Sequence, residues 1–280
     1  MKLISVNITT YNRSHLLARC LDSVLSQSYK NIEVVIVDDC STDETTQIVK
    51  SYSDKDDRVK YIKHELNKGN AGSRNTAMDH CSGFYVAFMD DDDEWIDIHK
   101  LQKQVDLFEG STGKLGMICT SVRLMDQNKN TRDKLIVKPD NVKSMILKGN
   151  GYIYSPTVFT SKKVMDEVGG FDLTLPRGID SDFYRVAIVK LNYDIIFMKD
   201  ITTLIHEYGN DRITPTDSAN AFCKDIIGNR ICLEKFKDEF KVFWREKYYR
   251  KANILFRFCK NIIKFREKRL FIEMYKLLKS

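Results

Sequence analysis

Hydrophobic positions in the first hundred residues switch between two periods. Ile4, Val6 and Ile8 recur every second residue through Lys2–Thr9, the spacing of a strand. Leu17, Cys20, Leu21, Val24 and Leu25 then share one face of a helix that Ser14 can cap and that runs to about Ser26. Ile32 to Val37 is β-branched except for Glu33, as in a strand covered on both faces. Ser41 and Glu44 have capping-box spacing and predict a second helix. A short strand at Val59–Ile62, a glycine-containing loop at Asn67–Gly72 and a helix at Ser73–Cys81 follow, then an apolar strand from Phe84 to Met89. This β-α-β-α-β-α-β order predicts an α/β fold with a mainly parallel sheet and helices on both faces.

Beyond Lys114 the pattern loosens. It predicts a strand at Leu115–Leu124, a polar loop at Asp126–Asp133 and a strand at Val158–Thr160. A Ser161-capped helix to about Val168 and a turn at Gly169–Asp172 come next. A helix at Ser181–Leu191 and short strands at Asp194–Met198 and Ile201–His206 complete the series. The polar segment Asn210–Asn220, with Pro215, marks a boundary, giving domains 1–215 and 216–280. The second reads as helical. Leu255, Phe258, Cys259, Ile262 and Ile263 lie on one face, opposite Arg257, Lys260, Lys264 and Lys268. Such a helix either packs inward with its basic face solvated or lies on an anionic membrane surface.

Charge sharpens this division. The chain carries +6, yet residues 234–280 hold 15 Lys/Arg against 6 Asp/Glu, a net of +9. No apolar stretch approaches the roughly 20 residues of a membrane span, and the first residues lack a signal-peptide pattern. The 7 cysteines are an odd number without C-x-x-C spacing. They point to reduced thiols in the cytoplasm, not to disulfides or zinc.

Ligands of parallel sheets bind beyond the carboxyl ends of the strands. Thr10-Tyr11-Asn12, Asp38-Asp39 and Asp90 to Asp93 all fall there. Four adjacent carboxylates at the end of a buried strand repel one another. A divalent Mg²⁺ or Mn²⁺ that also binds phosphate oxygens is the simplest compensation. An acidic turn is the plain alternative.

In order along the chain, these clusters resemble the motifs of family-2 glycosyltransferases with the GT-A fold. Ile4 to Arg13 resembles the first strand and T-Y-N turn, and Glu33 to Asp43 the E-x-I-I-V-D-D-G-S-T-D stretch. Asn67 to Asn75 resembles N-x-G-x-x-x-A-R-N, and Phe88 to Trp95 resembles F-L-D-x-D-D-x-W. Gly169 to Asp172 and Gly178 to Asp182 resemble G-G-F-D and G-E-D-x-D. The likeness covers residues 3–215. Three departures stand out. Cys40 replaces a glycine, so the turn is expected to avoid a backbone only glycine tolerates. Ile179 replaces a glutamate. The run of four Asp leaves the D-x-D register open. The Q-x-x-R-W motif of processive synthases is absent, as in a single-addition enzyme.

The resemblance implies an inverting transfer of one sugar from a nucleotide-sugar, a UDP-sugar first, to a saccharide or lipid-linked saccharide hydroxyl. It assigns the metal to Asp92, with Asp90 beside it or on the ribose, and uracil recognition to Asp39. Tyr11 would stack on the base, with Thr9 and Arg74 flanking the nucleotide. Asp180 is the implied general base, or else a helix cap, with Asp182 second. His206 and Arg212, from a late segment acting as a lid, would reach the metal or diphosphate. Such enzymes often build bacterial surface polysaccharides, which suits a peripheral position on the inner face of the cell membrane. A phosphoreceiver-like domain fails, because it needs a strand-end lysine beside one phosphorylatable Asp within about 120 residues and the likeness extends much further. Two alternatives remain, a nucleotidyltransferase and a nucleic-acid binder using the basic tail. The tail's aromatics have helical spacing that suits packing, so no nucleic-acid partner is expected.

Overall fold

The computed structural model describes the backbone of residues 1–149, 153–207, 218–265 and 268–279, and the side chains of these apart from 258–265 and 268–270. The chain forms two compact units. The first comprises Met1–Lys138, Tyr152–Phe171 and Leu191–Gly209; the second comprises Pro139–Gly151, Asp172–Lys190 and Asn210–Ser280. Residues 172–190 thus group with the C-terminal helices and not with the sheet. The boundary segment read from the sequence lies outside the described residues up to 217.

The first unit opens with β1 (Ile4–Thr10), α1 (Ser14–Leu25), β2 (Ile32–Asp38), α2 (Thr45–Ser53), β3 (Val59–Lys63), α3 (Gly69–His80) and β4 (Tyr85–Asp90). It continues with β5 (Glu94–Trp95), α4 (Lys100–Glu109), β6 (Leu115–Met125) and β7 (Thr131–Lys134). After α5 (Val142–Lys148), which belongs to the second unit, come β8 (Phe159–Ser161) and α6 (Lys162–Val168). The helix α7 (Ile179–Arg185) is again in the second unit, and β9 (Asp194–His206) returns to the first. The sheet order is β3-β2-β1-β4-β8-β6-β9-β5, with β7 on β6. The strands β3, β2, β1 and β4 are parallel, as expected. Beyond β4 the sheet is mixed: β8 runs antiparallel to β4 and β6, β5 antiparallel to β9, and β6 parallel to β9. Strand order reverses between β1 and β4, so a crevice for ligands opens at their carboxyl ends.

Both faces of β2 are covered. Val34 and Ile36 pack with Leu17, Leu21 and Val24 of α1, while Val35 and Val37 pack with Ala77 and Cys81 at α3. Each Val, Leu or Ile among them contributes roughly 1.5–3 kcal/mol on burial. Glu33, the exception in this apolar strand, is also buried. Its carboxylate accepts bonds from Ser5, from Lys60 Nζ at 2.6 Å, and from Ser82 N and Oγ, both at 2.6 Å. Burial pushes this carboxyl up, but those donors prevail and hold it at about 2.

Several local expectations change. Ser41 and Glu44 form no capping box. Asp43 Oδ1 instead accepts from Thr45 N at 3.1 Å, and Ser41 Oγ accepts from Asn12 N at 2.8 Å. The loop at 67–72 ends early because α3 begins at Gly69, where Asp39 meets the first backbone donors. The polar loop after β6 contains β7, which pairs with β6 and is joined to it by Arg123 and Asp133 at 2.7 Å. The strands expected at 194–198 and 201–206 are one strand, β9, whose register shifts against β6 at Thr120–Val122. Helix 181–191 is α7 followed by a wider π turn at Val186–Lys190.

In the second unit, α7 and the π turn join α5 with α8 (Ala219–Lys235), α9 (Glu239–Val242), α10 (Trp244–Phe265) and α11 (Lys268–Lys279). Arg250 Nη1 donates to the Leu147 carbonyl at 2.7 Å. Gly149 (φ +72°) ends α5 beside it, and a Cβ there would stand 2.6 Å from that guanidinium. Arg257, expected on a solvated basic face, instead pairs with Asp225 at 2.8 Å and lies over Phe222. The remaining stripe residues, Phe258 to Ile263 with Lys260, Lys264 and Lys268, have side chains outside the described set.

Candidate active site

The Asp run follows the pleat of β4 past its end. Asp91 and Asp93 are buried, whereas the side chains of Asp90 and Asp92 keep 34% and 25% of their surface. Alternation therefore presents Asp90-x-Asp92 and turns the other pair inward. Asp91 Oδ1 accepts from Arg13 Nη1 at 2.7 Å, and the same nitrogen reaches Asp92 Oδ2 at 3.1 Å. Asp93 Oδ1 accepts the backbone N–H of His206 at 3.1 Å. Burial, with Asp92 beside it and despite Arg13, pushes Asp91 up to about 6. Asp93 is driven well above the usual carboxylate range by burial and by Asp92 and Asp90. Arginines thus offset part of the repulsion that the sequence assigned to a cation.

Arg74 is not a surface charge. It is buried, its guanidinium carbon lies 5.7 Å from the Phe88 ring centre and 5.5 Å from that of Phe171, and Nη2 donates to Asp90 Oδ1 at 2.7 Å. Its Nε donates to Asn70 Oδ1 at 3.2 Å, an atom that Thr9 Oγ1 also reaches at 3.4 Å. Gly170 (φ +90°) fits beside Asn75, whose Oδ1 a Cβ would approach to 2.8 Å. Asn75 in turn exchanges bonds with the Phe171 backbone at 2.7 and 2.9 Å, so the glycine pair packs the Phe171 ring near Arg74.

Asp39 is buried at the start of α3. Oδ1 accepts from Lys68 N and His64 Nδ1, both at 2.8 Å, and Oδ2 accepts from Gly69 N at 2.8 Å. A carboxylate has about four acceptor positions, so Oδ2 retains capacity for a further donor. Tyr11, beyond β1, is 46% exposed, as a ring available for stacking must be. Cys40 does not avoid the left-handed region: its φ is +70°, and Sγ donates to the Glu65 carbonyl at 3.3 Å.

His206 closes β9 and does not sit on a loop. It is buried, Nε2 lies 2.7 Å from Glu94 Oε1, and burial lowers its pKa despite that carboxylate. Arg19 Nε contacts the same Glu94 oxygen at 3.2 Å and Arg19 Nη2 donates to the Asp92 carbonyl at 2.8 Å. Arg212 and the rest of the expected lid lie outside the described residues.

Asp90 and Asp92 offer partly exposed carboxylates at this edge, while Asp91 Oδ2, turned inward, is buried with no hydrogen-bond partner. Hard oxygen donors of this kind fit a divalent cation. Among the described residues no three His, Cys, Asp or Glu side chains converge as a complete site. Mg²⁺ and Mn²⁺ commonly take one or two carboxylates and complete their shell with phosphate and water.

In the second unit, Asp180 lies in the first turn of α7 and does not cap it. The cap position is Gly178, with φ +78°. Asp182 is buried, and its Oδ2 accepts from Lys235 Nζ at 2.6 Å, while the same ammonium reaches Asp172 Oδ2 at 2.9 Å. Of the two acids, Asp180 is the more accessible.

Arg13, Arg19 and His64 were given no role from the sequence. Arg13 directly follows the T-Y-N turn, which is a usable signal. His64 carries none, because only the tertiary fold brings its ring between Asp39 and Thr76 Oγ1, 2.9 Å from the latter.

The Escherichia coli protein described as UDP-Glc:alpha-D-GlcNAc-diphosphoundecaprenol beta-1,3-glucosyltransferase WfaP is 42% identical over 109 residues, which are 39% of this chain and 42% of that one. The chain spans 54% or less of the length of the first curated relatives it matches. Among solved structures, Staphylococcus aureus TarS 1-349 in complex with UDP-GlcNAc superposes with a TM-score of 0.76 over 99% of this chain and 80% of that one, at 18% identity. The Pyrobaculum calidifontis mannosyltransferase PcManGT, in complex with GDP-Man and Mn²⁺, gives 0.62 over 99% of this chain and 74% of that one, also at 18% identity. These likenesses establish the fold as GT-A with a C-terminal helical part. The profile described as Glycosyl transferase family 2 matches residues 5–169, more than half of the chain. The chain belongs to glycosyltransferase family 2.

Proposed function

We propose that the protein transfers one sugar from a nucleotide-sugar, a UDP-sugar first, to a hydroxyl of a saccharide or lipid-linked saccharide, with inversion at the anomeric carbon. The observation that carries this reading is the presented pair Asp90 and Asp92 at the point where strand order reverses. The names of relatives and fold neighbours support the donor and acceptor classes: WfaP is named for UDP-glucose and a diphosphoundecaprenol acceptor, and TarS was solved with UDP-GlcNAc. Residues 1–215 would form the transferase domain and 216–280 a basic helical region. The protein would work in the cytoplasm, peripherally on the inner face of the cell membrane.

In this reading Asp39 accepts the uracil N3–H through Oδ2, and Tyr11 stacks on the base. Thr9 lies beside the nucleotide through Asn70. Arg74, held between Phe88 and Phe171, keeps Asp90 turned toward the ribose or the metal. Mn²⁺ or Mg²⁺, held by Asp92 with Asp90 or His206 beside it, would supply positive charge for the leaving diphosphate. Arg212 would add to that charge from the segment after His206. Asp180 takes the proton of the acceptor hydroxyl as its oxygen bonds to the anomeric carbon and the bond to the diphosphate oxygen breaks. Lys235 would hold Asp182 and Asp172 so that α7 presents Asp180.

Calorimetry with UDP, combined with turnover, tests the scheme. UDP binding is expected to weaken strongly with EDTA and in Asp92→Ala; undiminished affinity in both removes the metal role. Asp180→Asn should keep donor affinity and lose about 10²–10⁴ in turnover. A large turnover loss in Asp182→Asn but not in Asp180→Asn would reassign the base.

A further inference from the structure

We infer that the outer face of α11, with the basic groove it forms against α8, is a docking surface for an anionic lipid bilayer. This deepens the membrane part of the proposed function and rests on that part alone, independent of the transfer chemistry.

The helix α11 is apolar on two sides. Met274 and Leu277 are buried, whereas Phe271, Ile272, Tyr275 and Leu278 remain 48%, 46%, 59% and 45% exposed. An amphipathic helix whose apolar arc is wider than its buried face needs two apolar surroundings. Packing with α8 supplies one of them. The other has to be found outside this unit's described helices.

Charge at the rim identifies it. A groove of about 330 Å³ is lined by Arg230, Glu234, Tyr275, Lys276 and Lys279, with Glu273 at 2.9 Å from Lys276 beside it, so three cations face two carboxylates. Arg230 is poorly satisfied there. Its Nε is buried with no hydrogen-bond partner, and its contacts to Glu234 and Glu273 are long, at 3.5 and 4.0 Å. With 28% of its side chain exposed and only long contacts, this guanidinium can exchange them for phosphate oxygens, which accept in a matching fork. Lys279 Nζ stands 4.3 Å from the Tyr275 ring centre, so the aromatic and the cation share one edge. Aromatic rings beside lysines, with aliphatic side chains alongside, match the boundary between headgroups and acyl chains. The net +9 of residues 234–280 favours an anionic bilayer over a protein partner of mixed charge.

The test uses the full chain with vesicles of phosphatidylcholine alone and of phosphatidylcholine with phosphatidylglycerol. Co-sedimentation is expected only with phosphatidylglycerol and should decline as salt rises. Lys276→Gln with Lys279→Gln should weaken it at least about tenfold, since each lysine near such a surface is worth about fivefold. Phe271→Ser with Tyr275→Ser should abolish it, with thermal unfolding verifying that these exposed substitutions leave the fold intact. UDP binding is measured on every variant and should not change. Vesicle binding without UDP binding would leave the docking surface standing and strike the UDP-sugar reading. A full chain that ignores phosphatidylglycerol vesicles at low salt would overturn the docking surface. So would substituted chains that bind as tightly as the unsubstituted one, or self-association without lipid that Phe271→Ser with Tyr275→Ser removes.

Discussion

At the scale of single residues, two buried or strained groups carry measurable consequences. Cys40 holds φ +70° beside the candidate nucleotide edge. A non-glycine residue in that region costs roughly 1 kcal/mol or more. Cys40→Gly is therefore expected to stabilise the fold by about 1 kcal/mol, read as a higher urea midpoint, and Cys40→Val to lower that midpoint. A loss of stability in Cys40→Gly would mean that the Sγ bond to Glu65 outweighs the strain. Lys100 is the second. It is fully buried, its Nζ is 4.2 Å from the Trp95 ring centre, and its donated bond goes to Gln104 Oε1 at 2.8 Å. Burial lowers its pKa from 10.5 to about 7, with Asp97 pulling weakly the other way. Between those values the unfolded chain binds the proton and the folded chain does not, so stability rises with pH across that window. Denaturation of the wild type against Lys100→Met from about pH 7 to 10 should show a difference that grows with pH in the wild type's favour. A flat difference would mean that the ammonium stays charged in the core. Neither feature was legible in advance: a lysine on an amphipathic helix reads as surface, and Cys40 was expected to escape the glycine conformation.

At the scale of elements, Glu33 ties the parallel strands together. It sits on β2 and takes donors from β1 through Ser5, from β3 through Lys60, and from the turn before β4 through Ser82. Glu33→Gln is expected to cost about 1.5–3 kcal/mol at neutral pH, the range for bonds to a charged group. Because the folded carboxyl is held at about 2 against an ordinary 4.5, this contribution is complete above 4.5 and fades as pH falls toward 2. Urea titrations of both proteins should therefore converge in acid; a gap that persists near pH 2 would place the effect in packing. Apolar periodicity made β1 to β4 and α1 readable to within a residue or two. It could not reveal β7, whose Thr131-Arg132-Asp133-Lys134 has no apolar side chain and is held by its ladder to β6 and by the pair Arg123–Asp133. Nor could it start α3 at Gly69, because two glycines argue against a helix until Asp39 supplies an acceptor for the first N–H groups. The Asp run shows both sides: four identical letters left a metal edge and an acidic turn open, and only the pleat shows that Asp91 and Asp93 are the buried pair.

At the scale of the whole molecule, the two units are interleaved along the chain. Residues 139–151 and 172–190 belong with 210–280, so α5 and α7 depend on helices encoded long after them. Lys235 anchors Asp182 of α7, and Arg250 caps the end of α5. A chain stopped at residue 215 should keep slow hydrogen exchange in β1, β2 and β4 but lose it in α7. Retained protection of α7 would show that this helix holds without Lys235 and Arg250. The interleaving also sets a schedule for synthesis. A ribosome delivers every strand of the sheet by residue 206, and that unit can close while the chain is still growing. The segment carrying Asp180 has to wait, exposed and without Lys235, until the basic helices emerge. Charge neutralisation of Asp182 is then among the last events of folding, so a stalled or clipped nascent chain would hold a finished sheet beside an unassembled α7.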